Sequence, residues 1–323
     1  MKLQPYSPSY KTAWDTFVES SRNGTFLFFR DFMEYHADRF EDASLIFMNE
    51  KGRIKGILPA SWHEELREIR SHGGLTYGGF VLSSDTHAAE AGEMMELTKE
   101  FYFTKYKAQR LILSLVPHIY HRQPADDARY WLFRYGAHLH TCGLSSAIDL
   151  RNPGPISTLR RRCFHQALRY GLEYAEVKTD DIDSWTEYWR LLTAVLQSRH
   201  GVKPVHSLSE ITMLAQRFPH NIRLKIVRHP LSHSIIAGCV LFMTEPVVHV
   251  QYIATEDEGR KYGALDLLFT RLIQEFSPCD SYRYLDFGIS TEDGGHILNE
   301  GLNRQKEGFG ARSVVYESYI LEL

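Results

Sequence analysis

The stretch VVHVQYIATEDEGRKYGALDLLFTRLIQEF, residues 247–276, decides the fold. Its first nine residues are β-branched and aromatic and predict a strand. From Gly263 onward, apolar residues recur at helical spacing and predict a long helix. Between the two, EDEGRKYG carries charges and two glycines, which is typical of a turn. A strand, a glycine-containing turn and a long helix therefore form the centre from which the rest of the chain is interpreted.

The same order of elements is predicted twice, on either side of the proline- and glycine-containing segment RNPGPI at 151–156. The first half reads, after an initial helix, as strands ASLIFMNE, RIKGILPA and GGLTYGGFVL, helix AGEMMELTKEFYFTKY, strand RLILSLVP, helix DARYWLFRYGA and strand LSSAIDL. The second half reads, after two helices, as strands IRLKIVRH, SIIAGCVLFM and VVHVQYIAT, helix GALDLLFTRLIQEF, strand YRYLDFG, helix GHILNEGLNRQKE and strand RSVVYESYILEL.

The spacing within the two halves also agrees. Tyr77 precedes Tyr135 by nearly the same number of residues as Tyr252 precedes Phe309. Matched order and matched spacing indicate an internal duplication. We therefore predict an α+β protein of two tandem units, residues 1–152 and 153–323, each a mixed and mostly antiparallel sheet flanked by helices.

Composition limits the classes of function. The 323 residues are 43% hydrophobic and 24% charged with a net charge of −3, which is typical of a soluble globular protein without a long-range field for DNA. The longest apolar run, residues 235–243, is about half of a membrane span. The first residues lack the apolar core of a signal peptide, and the four cysteines form no CxxC pair. We expect a cytoplasmic protein with reduced thiols.

The repeated unit, with its motifs, resembles the GNAT acyltransferase fold, and two units in tandem resemble the Fem-type peptidyltransferases of that superfamily. The resemblance covers nearly the whole chain. It implies transfer of an acyl group to an amine, with an acyl-CoA or an aminoacyl-tRNA as donor. It also implies a donor-binding and catalytic second unit, and a non-catalytic first unit on the acceptor side.

Arg260, Gly263 and Ala264 resemble the GNAT phosphate loop, in which glycines let backbone N–H groups approach a pyrophosphate at a helix N-terminus. The match is partial, because Leu265 stands where a small residue is expected. An ordinary helix start with surface charges is the alternative. The first unit has no such motif, since the matched positions are Asp85, Ala88 and Ala89. If the motif binds a donor, only the second unit does so.

Lys306 precedes the Gly308-Phe309 turn, as a lysine does in Fem-type enzymes. The resemblance implies that it stabilises negative charge when the aminoacyl ester is attacked. Arg304 replaces the tyrosine with which simple GNAT enzymes protonate a thiolate, and is a candidate for substrate binding. Leu298, Leu302 and Lys306 have helical spacing, which predicts that the lysine continues an apolar stripe. The alternative is a solvated lysine at a helix C-terminus.

The remaining candidates follow from position. Asp286 ends a strand beside a glycine, where it could accept a proton or merely cap a loop. Tyr252 lies on the central strand as a further catalytic candidate. Tyr77, in a glycine-rich stretch, and Tyr316, on the last strand, are candidates for substrate binding. The paired histidines of HIYH, 118–121, lack a third ligand, so no metal is predicted.

The sequence therefore predicts an N-acyltransferase that moves an acyl group from an acyl-CoA to an amine acceptor such as an amino sugar, a peptide amine or a cell-envelope precursor. The acyl-CoA would be a co-substrate, with no permanently bound cofactor. Two alternatives remain open: an aminoacyl-tRNA donor, for which the basic segment LRRRCFHQALR at 159–169 offers a local patch, or a non-catalytic sugar- or peptide-binding protein.

Overall fold

The computed structural model describes residues 1–323, apart from the side chain of His200. The chain forms two compact units that each combine several segments. Unit 1 consists of residues 1–144, 291–298 and 314–323, and unit 2 of residues 145–290 and 299–313. The segment RNPGPI, in which the sequence suggested a boundary, lies within unit 2.

Unit 1 begins the chain. Its strands are β1 (Lys2–Pro5), β2 (Glu41–Asp42), β3 (Leu45–Met48), β4 (Ile54–Leu58), β5 (Ser61–His63), β6 (Glu68–Arg70), β7 (Val81–Leu82) and β8 (Arg110–Ser114). Its helices are α1 (Lys11–Ser20), α2 (Arg30–Met33), α3 (Ala88–Tyr106) and α4 (Asp127–Arg134). Strand β9 (His138–Asp149) starts in unit 1 and ends in unit 2.

Unit 2 has its own set of helices. They are α5 (Thr158–Arg169), α6 (Ile182–His200), α7 (Leu208–Arg217), α8 (Asp257–Tyr262), α9 (Ala264–Phe276) and α10 (Glu300–Glu307). Its strands are β10 (Glu173–Val177), β11 (Ile222–Arg228), β12 (Ile235–Thr244), β13 (Val247–Thr255) and β14 (Tyr284–Ile289). The chain then adds β15 (Thr291–Glu292) and β16 (Ile297–Leu298) to unit 1 and ends with β17 (Arg312–Glu322).

Unit 1 contains two sheets. Strands β1, β3, β4 and β7 pair antiparallel in that order. The second sheet runs from the last residues of β17 through β8, β6 and β5 to β2, and only the β6–β8 pair is parallel. The buried core lies between these strands and the long helix α3, with Leu45, Phe47, Met94, Tyr102 and Leu113 among its members.

In unit 2 the strands follow the order β10, β11, β12, β13, β14 and the end of β9. All neighbours are antiparallel except β13 and β14, which are parallel for three residue pairs only, from Val247 with Tyr284 to His249 with Asp286. Beyond His249 both strands continue without pairing to each other. Helix α9 covers one face of the sheet, where Leu268, Phe269 and Leu272 enter the core.

Each unit therefore combines mostly antiparallel strands, with one parallel pair, and helices against them, as the sequence predicted. Two element predictions were wrong. Residues 73–80 are not a strand, because Gly79 has φ +78° and the backbone at Gly74 lies against the His36 ring. The last predicted helix begins only at Glu300, because Asn299 caps it and Leu298 belongs to β16.

Candidate active site

Asp286 is the most deeply buried acid of unit 2. Its side chain is 0% exposed. The Ser145 hydroxyl donates to one carboxylate oxygen at 2.5 Å, and the backbone N–H of Gly288 donates to the same oxygen at 3.2 Å. A buried carboxylate needs such donors, because burial without them carries a large desolvation cost. Asp286 is thus held in one orientation at the point where β13 and β14 separate.

His249 is the second partner of Asp286 and was not predicted from the sequence. Its Nδ1 donates to the other carboxylate oxygen at 2.8 Å, since an ionised carboxylate only accepts. The parallel register that pairs His249 with Asp286 places both side chains on the same face of the sheet. This bond fixes the tautomer and leaves Nε2 as the ring nitrogen that can take a proton.

Lys306 reaches the same region from α10. Its ammonium donates to the carbonyl oxygens of Gly288 at 2.7 Å and Ile289 at 2.9 Å. The residue is 7% exposed and shares the buried side of α10 with Asn303, whose amide oxygen accepts from the Ser146 hydroxyl. Lys306 therefore lies at the core edge, although the predicted stripe was wrong, because Leu298 lies outside the helix.

The buried position of Lys306 disfavours the charged form of its side chain. Burial lowers the pKa of its ammonium from 10.5 to about 8, and the nearby Asp286 carboxylate opposes that shift. The lysine is still a cation at neutral pH. A desolvated cation next to a strand opening is suited to stabilising developing negative charge on a substrate.

Tyr252 shares a face with His249 because of a β-bulge. The β12–β13 register shifts between Val240 and Leu241, so that Gln251 is the extra residue. His249 pairs with Phe242 and Tyr252 with Val240, and these partners are two apart on β12. Without the bulge, His249 and Tyr252 would face opposite sides of the sheet.

The hydroxyl of Tyr252 is engaged by the segment between α6 and α7. It lies 2.6 Å from His206 Nδ1, and the Trp189 ring meets the tyrosine ring edge-on at 5.2 Å. Burial raises the pKa of Tyr252 to about 12, so the phenol stays protonated at neutral pH. It can donate a hydrogen bond but is a poor proton acceptor.

Of the three residues predicted to bind substrate, two lie together in unit 1 and one belongs to unit 2. Arg304 is exposed on α10, two residues from Lys306 and so on a different side of the helix. Tyr77 and Tyr316 belong to unit 1 and lie together, with ring centroids 6.4 Å apart. The Tyr120 ring packs against both, and its hydroxyl is 2.9 Å from that of Tyr316.

The phosphate-loop candidate is helical. Residues 257–262 form α8, and Arg260 is exposed and paired with Asp257 at 3.1 Å. Gly263 has φ +77°, and a Cβ on it would lie 2.6 Å from the carbonyl oxygen of Cys163 on α5. Close packing of α5 on the start of α9 thus requires a glycine here. Ala264 is fully buried in the same contact region.

The first turn of α9 also holds an acid. Asp266 is 5% exposed and accepts from the Arg160 guanidinium of α5 at 3.0 Å. Burial raises the pKa of its carboxyl to about 6, and Arg160 opposes that shift. A paired carboxylate in this turn competes with any phosphate for the positive end of the helix.

The matched turn of unit 1 is filled by internal charges. Asp85 accepts from the buried Lys55 ammonium at 3.3 Å and from Arg53 at 3.1 Å. Glu90 closes the capping box with His87 at the start of α3. The matched turns of both units are thus occupied by internal ion pairs.

Two further findings concern metal ions and membranes. Within the described residues, no three His, Cys, Asp or Glu side chains converge as metal ligands would. In the same part of the chain, no helix has the length and apolarity needed to cross a membrane.

The sequence and the structure of this chain were both compared with those of known proteins. Residues 156–294 match the sequence family described as acetyltransferase (GNAT) domain. None of the curated protein sequences matches the chain. The crystal structure of FemX superposes with a TM-score of 0.71 at 12% identity, over 100% of this chain and 98% of FemX.

Two lysylphosphatidylglycerol-synthetase structures are also similar. The C-terminal domain of the putative enzyme from Agrobacterium fabrum gives a TM-score of 0.62 at 12% identity, over 97% of this chain and 92% of that domain. The structure of L-PGS from Bacillus licheniformis gives 0.62 at 12% identity, over 98% and 93%. Together with FemX, these matches confirm the predicted GNAT-like, Fem-like architecture over the whole chain.

Proposed function

We propose that this chain, with its GNAT domain at 156–294 inside a Fem-like fold, transfers an aminoacyl group from an aminoacyl-tRNA to an amine acceptor. The observation that carries the proposal is the cluster of His249, Asp286 and Lys306 where β13 and β14 separate. It combines a candidate proton acceptor with a candidate stabiliser of negative charge. Acyl transfer to an amine needs both.

The proposed roles follow from burial and contacts. The acceptor amine attacks the ester carbonyl carbon, a C–N bond forms, and the amine proton passes to His249 Nε2. Asp286, buried and bonded to Nδ1, positions that ring and stabilises its protonated form. Asp286 itself was predicted as the proton acceptor, but its bonds to Ser145 and Gly288 support a positioning role instead.

The second half of the reaction breaks the ester C–O bond. Lys306, donating to two carbonyls at the strand opening, would stabilise the tetrahedral oxyanion or the departing ribose oxygen, which takes up the proton that His249 Nε2 received from the amine. Tyr252, protonated and on the same face as His249, would hydrogen-bond the aminoacyl group. Tyr77 and Tyr316 are proposed to bind the acceptor, and exposed Arg304 to bind substrate phosphate.

The donor choice rests on α8 and α9. The loop that would cradle a CoA pyrophosphate is a short helix, its glycine is packed against Cys163, and Asp266 occupies the first helical turn. These features favour a donor without that pyrophosphate. An acyl-CoA donor is the second candidate, supported by the GNAT family match and by the partial motif Arg260, Gly263 and Ala264.

A two-donor transfer assay tests the proposal. The protein is incubated with amine acceptors, UDP-linked amino sugars and peptidoglycan-type peptides, and with either a pool of tRNA charged with labelled amino acids or labelled acetyl-CoA. We expect label to move to an acceptor from tRNA and not from acetyl-CoA. A Lys306→Met variant should lose at least tenfold in rate, and the wild-type rate should fall as pH rises through about 8.

Each other outcome selects an alternative. Transfer from acetyl-CoA alone would replace the proposal by the second candidate. Absence of transfer from both donors, with melting temperature still raised by an amino sugar or peptide, would favour the non-catalytic binding protein. An unchanged rate in Lys306→Met would remove that lysine from the mechanism.

A further inference from the structure

Helix α5 presents an exposed cationic face that the proposed chemistry does not use. Arg161, Arg162, His165 and Arg169 are all exposed, although the chain as a whole carries a net charge of −3. At about 100° per residue, these four side chains fall within roughly a third of the helix circumference. The helix thus has a concentrated stripe of positive charge.

Two acids of the neighbouring helices α8 and α9 are already paired with other groups. Asp266, which faces α5, accepts from Arg160 on the inner side of the helix, and Asp257 pairs with Arg260. The neighbouring helices add more exposed cations. Lys261 is held beside α5 through its carbonyl, which accepts from Gln166 at 2.8 Å, and the Arg271 guanidinium lies 5.9 Å from the Phe164 ring.

The pattern of apolar residues distinguishes two kinds of anionic partner. The exposed leucines, Leu159 (58%) and Leu168 (41%), lie on opposite flanks of the arginine stripe. A helix that inserts into a membrane surface needs a continuous apolar face with cations at its borders, which is the reverse arrangement. Arginine forks in the centre instead suit the phosphates of a nucleic acid backbone.

The stripe begins next to the candidate active site. The N–H of Ser157, the N-cap of α5, donates to the carbonyl of Gly308 at 2.8 Å, and Gly308 lies two residues after Lys306. The Arg160 guanidinium lies 5.6 Å from the Phe309 ring. From there the 12-residue helix extends for about 18 Å.

We propose that the exposed face of α5, together with Lys261 and Arg271, docks the phosphate backbone of folded RNA. The inference rests on the proposed function, in which that RNA is the tRNA of the aminoacyl donor. This face of α5 would hold the body of the tRNA while the aminoacyl end of the tRNA reaches the cluster at Lys306. Recognition through phosphates makes the binding weakly dependent on tRNA identity and strongly dependent on salt.

The test measures binding of bulk deacylated tRNA by fluorescence anisotropy at several salt concentrations. The triple variant Arg161→Glu, Arg162→Glu, Arg169→Glu should raise the Kd at least tenfold and lower the slope of log K against log[salt] by about 2. The matched control reverses three exposed cations elsewhere in unit 2, Arg190, Arg199 and Lys203, and should change the Kd less than twofold.

Equal losses in both triple variants, or no loss in the α5 variant, would overturn the proposal. So would sedimentation with phosphatidylglycerol vesicles that depends on the α5 arginines while tRNA binding does not. If the glutamate variant fails to fold, as judged by its melting temperature, the triple variant with glutamine at the same three positions replaces it. That variant should raise the Kd for tRNA at least threefold.

The two proposals fail separately. Deacylated tRNA cannot report on transfer, and Lys306→Met should bind it within twofold of the wild type. If no transfer occurs from either donor but α5-dependent tRNA binding persists, the docking surface stands and the reaction is wrong. If transfer from tRNA proceeds in the α5 variant with unchanged KM, the reaction stands and the docking surface is wrong.

Discussion

At the scale of single residues, Asp286 fixes the geometry of the candidate site. Its two oxygens accept from a hydroxyl, a backbone N–H and an imidazole, all within unit 2. Bonds to a buried carboxylate are charge-assisted and stronger than neutral ones. The residue is thus suited to holding His249 in place and contributes to stability at the same time.

Replacing Asp286 by asparagine should cost about 2–3 kcal/mol of stability, because the amide nitrogen is a donor and must face either the Ser145 hydroxyl or His249 Nδ1, which already donates. Urea denaturation measures this cost. The control Ser145→Ala removes one bond only and should cost about 1 kcal/mol. An Asp286→Asn variant as stable as the wild type would show that the three donors are not essential to the fold.

The lowered pKa of Lys306 predicts a pH-dependent stability. Between about 8 and 10.5, the unfolded chain binds more protons at this lysine than the folded chain does. Stability relative to Lys306→Met should therefore rise with pH across this window, by up to about 3 kcal/mol. Below pH 8 the difference should be constant, because the lysine is protonated in both states.

Denaturant titrations of both proteins from pH 7 to 10.5 check this sign. The comparison cancels groups that titrate equally in the two proteins, such as the tyrosines. A stability difference that falls with pH would mean that the folded protein holds the Lys306 proton more tightly than the unfolded chain, and would exclude the lowered pKa.

The sequence indicated Asp286 because a glycine nearby predicted a strand end, although β14 continues to Ile289, and it indicated Lys306 through the resemblance of the Gly308-Phe309 turn to Fem-type enzymes. It could not indicate His249, which sits among valines in VVHVQ and resembles any half-exposed strand position. Only the parallel register of β13 and β14 brings His249 to Asp286. The register between two strands that are far apart in the chain cannot be predicted from the sequence of either strand alone.

At the scale of elements, a substitution at the start of α9 distinguishes a structural role of Gly263 from a ligand-binding role. Gly263→Ala should cost at least about 2 kcal/mol, because φ is +77° and the Cβ would lie 2.6 Å from a backbone oxygen. Gly301→Ala on α10 is the matched control. It has no contact closer than 3.8 Å and should raise stability by about 0.5–1 kcal/mol.

Thermal and urea unfolding of the two variants give the answer. A well-tolerated Gly263→Ala would mean that α5 does not pack tightly there, and would reopen the turn as a phosphate site. The sequence showed the glycine but not its neighbour, because Cys163 precedes it by a hundred residues. The β-bulge at Gln251 was not predicted either, because the pattern of residues within one strand does not reveal an extra residue relative to its partner strand.

At the scale of the whole molecule, each unit is discontinuous in sequence. Strand β8 of unit 1 pairs with residues 318–322 of β17, about two hundred residues further along the chain. A fragment of residues 1–152, the unit predicted from the sequence, would leave β8 with an unpaired edge and exposed core residues. We expect it to aggregate or to bind the dye ANS strongly.

The control fragment joins residues 1–144 to residues 314–323 through a flexible linker, and so restores the β8–β17 pairing. It should be more soluble and unfold cooperatively in urea. Equal folding of the two fragments would mean that β17 contributes little to unit 1. The internal repeat was visible in the spacing of elements, but the exchange of terminal segments was not, because both halves end in similar strands.

The position of β17 also has a consequence for biosynthesis. As the ribosome makes the chain, residues 1–144 emerge first, yet their second sheet stays incomplete until residues 314–323 have left the exit tunnel. Domains that are continuous in sequence fold one after another during translation. Here unit 1 must wait for residues 314–323, which are translated after every residue of unit 2, so the unit that is begun first is the one completed second.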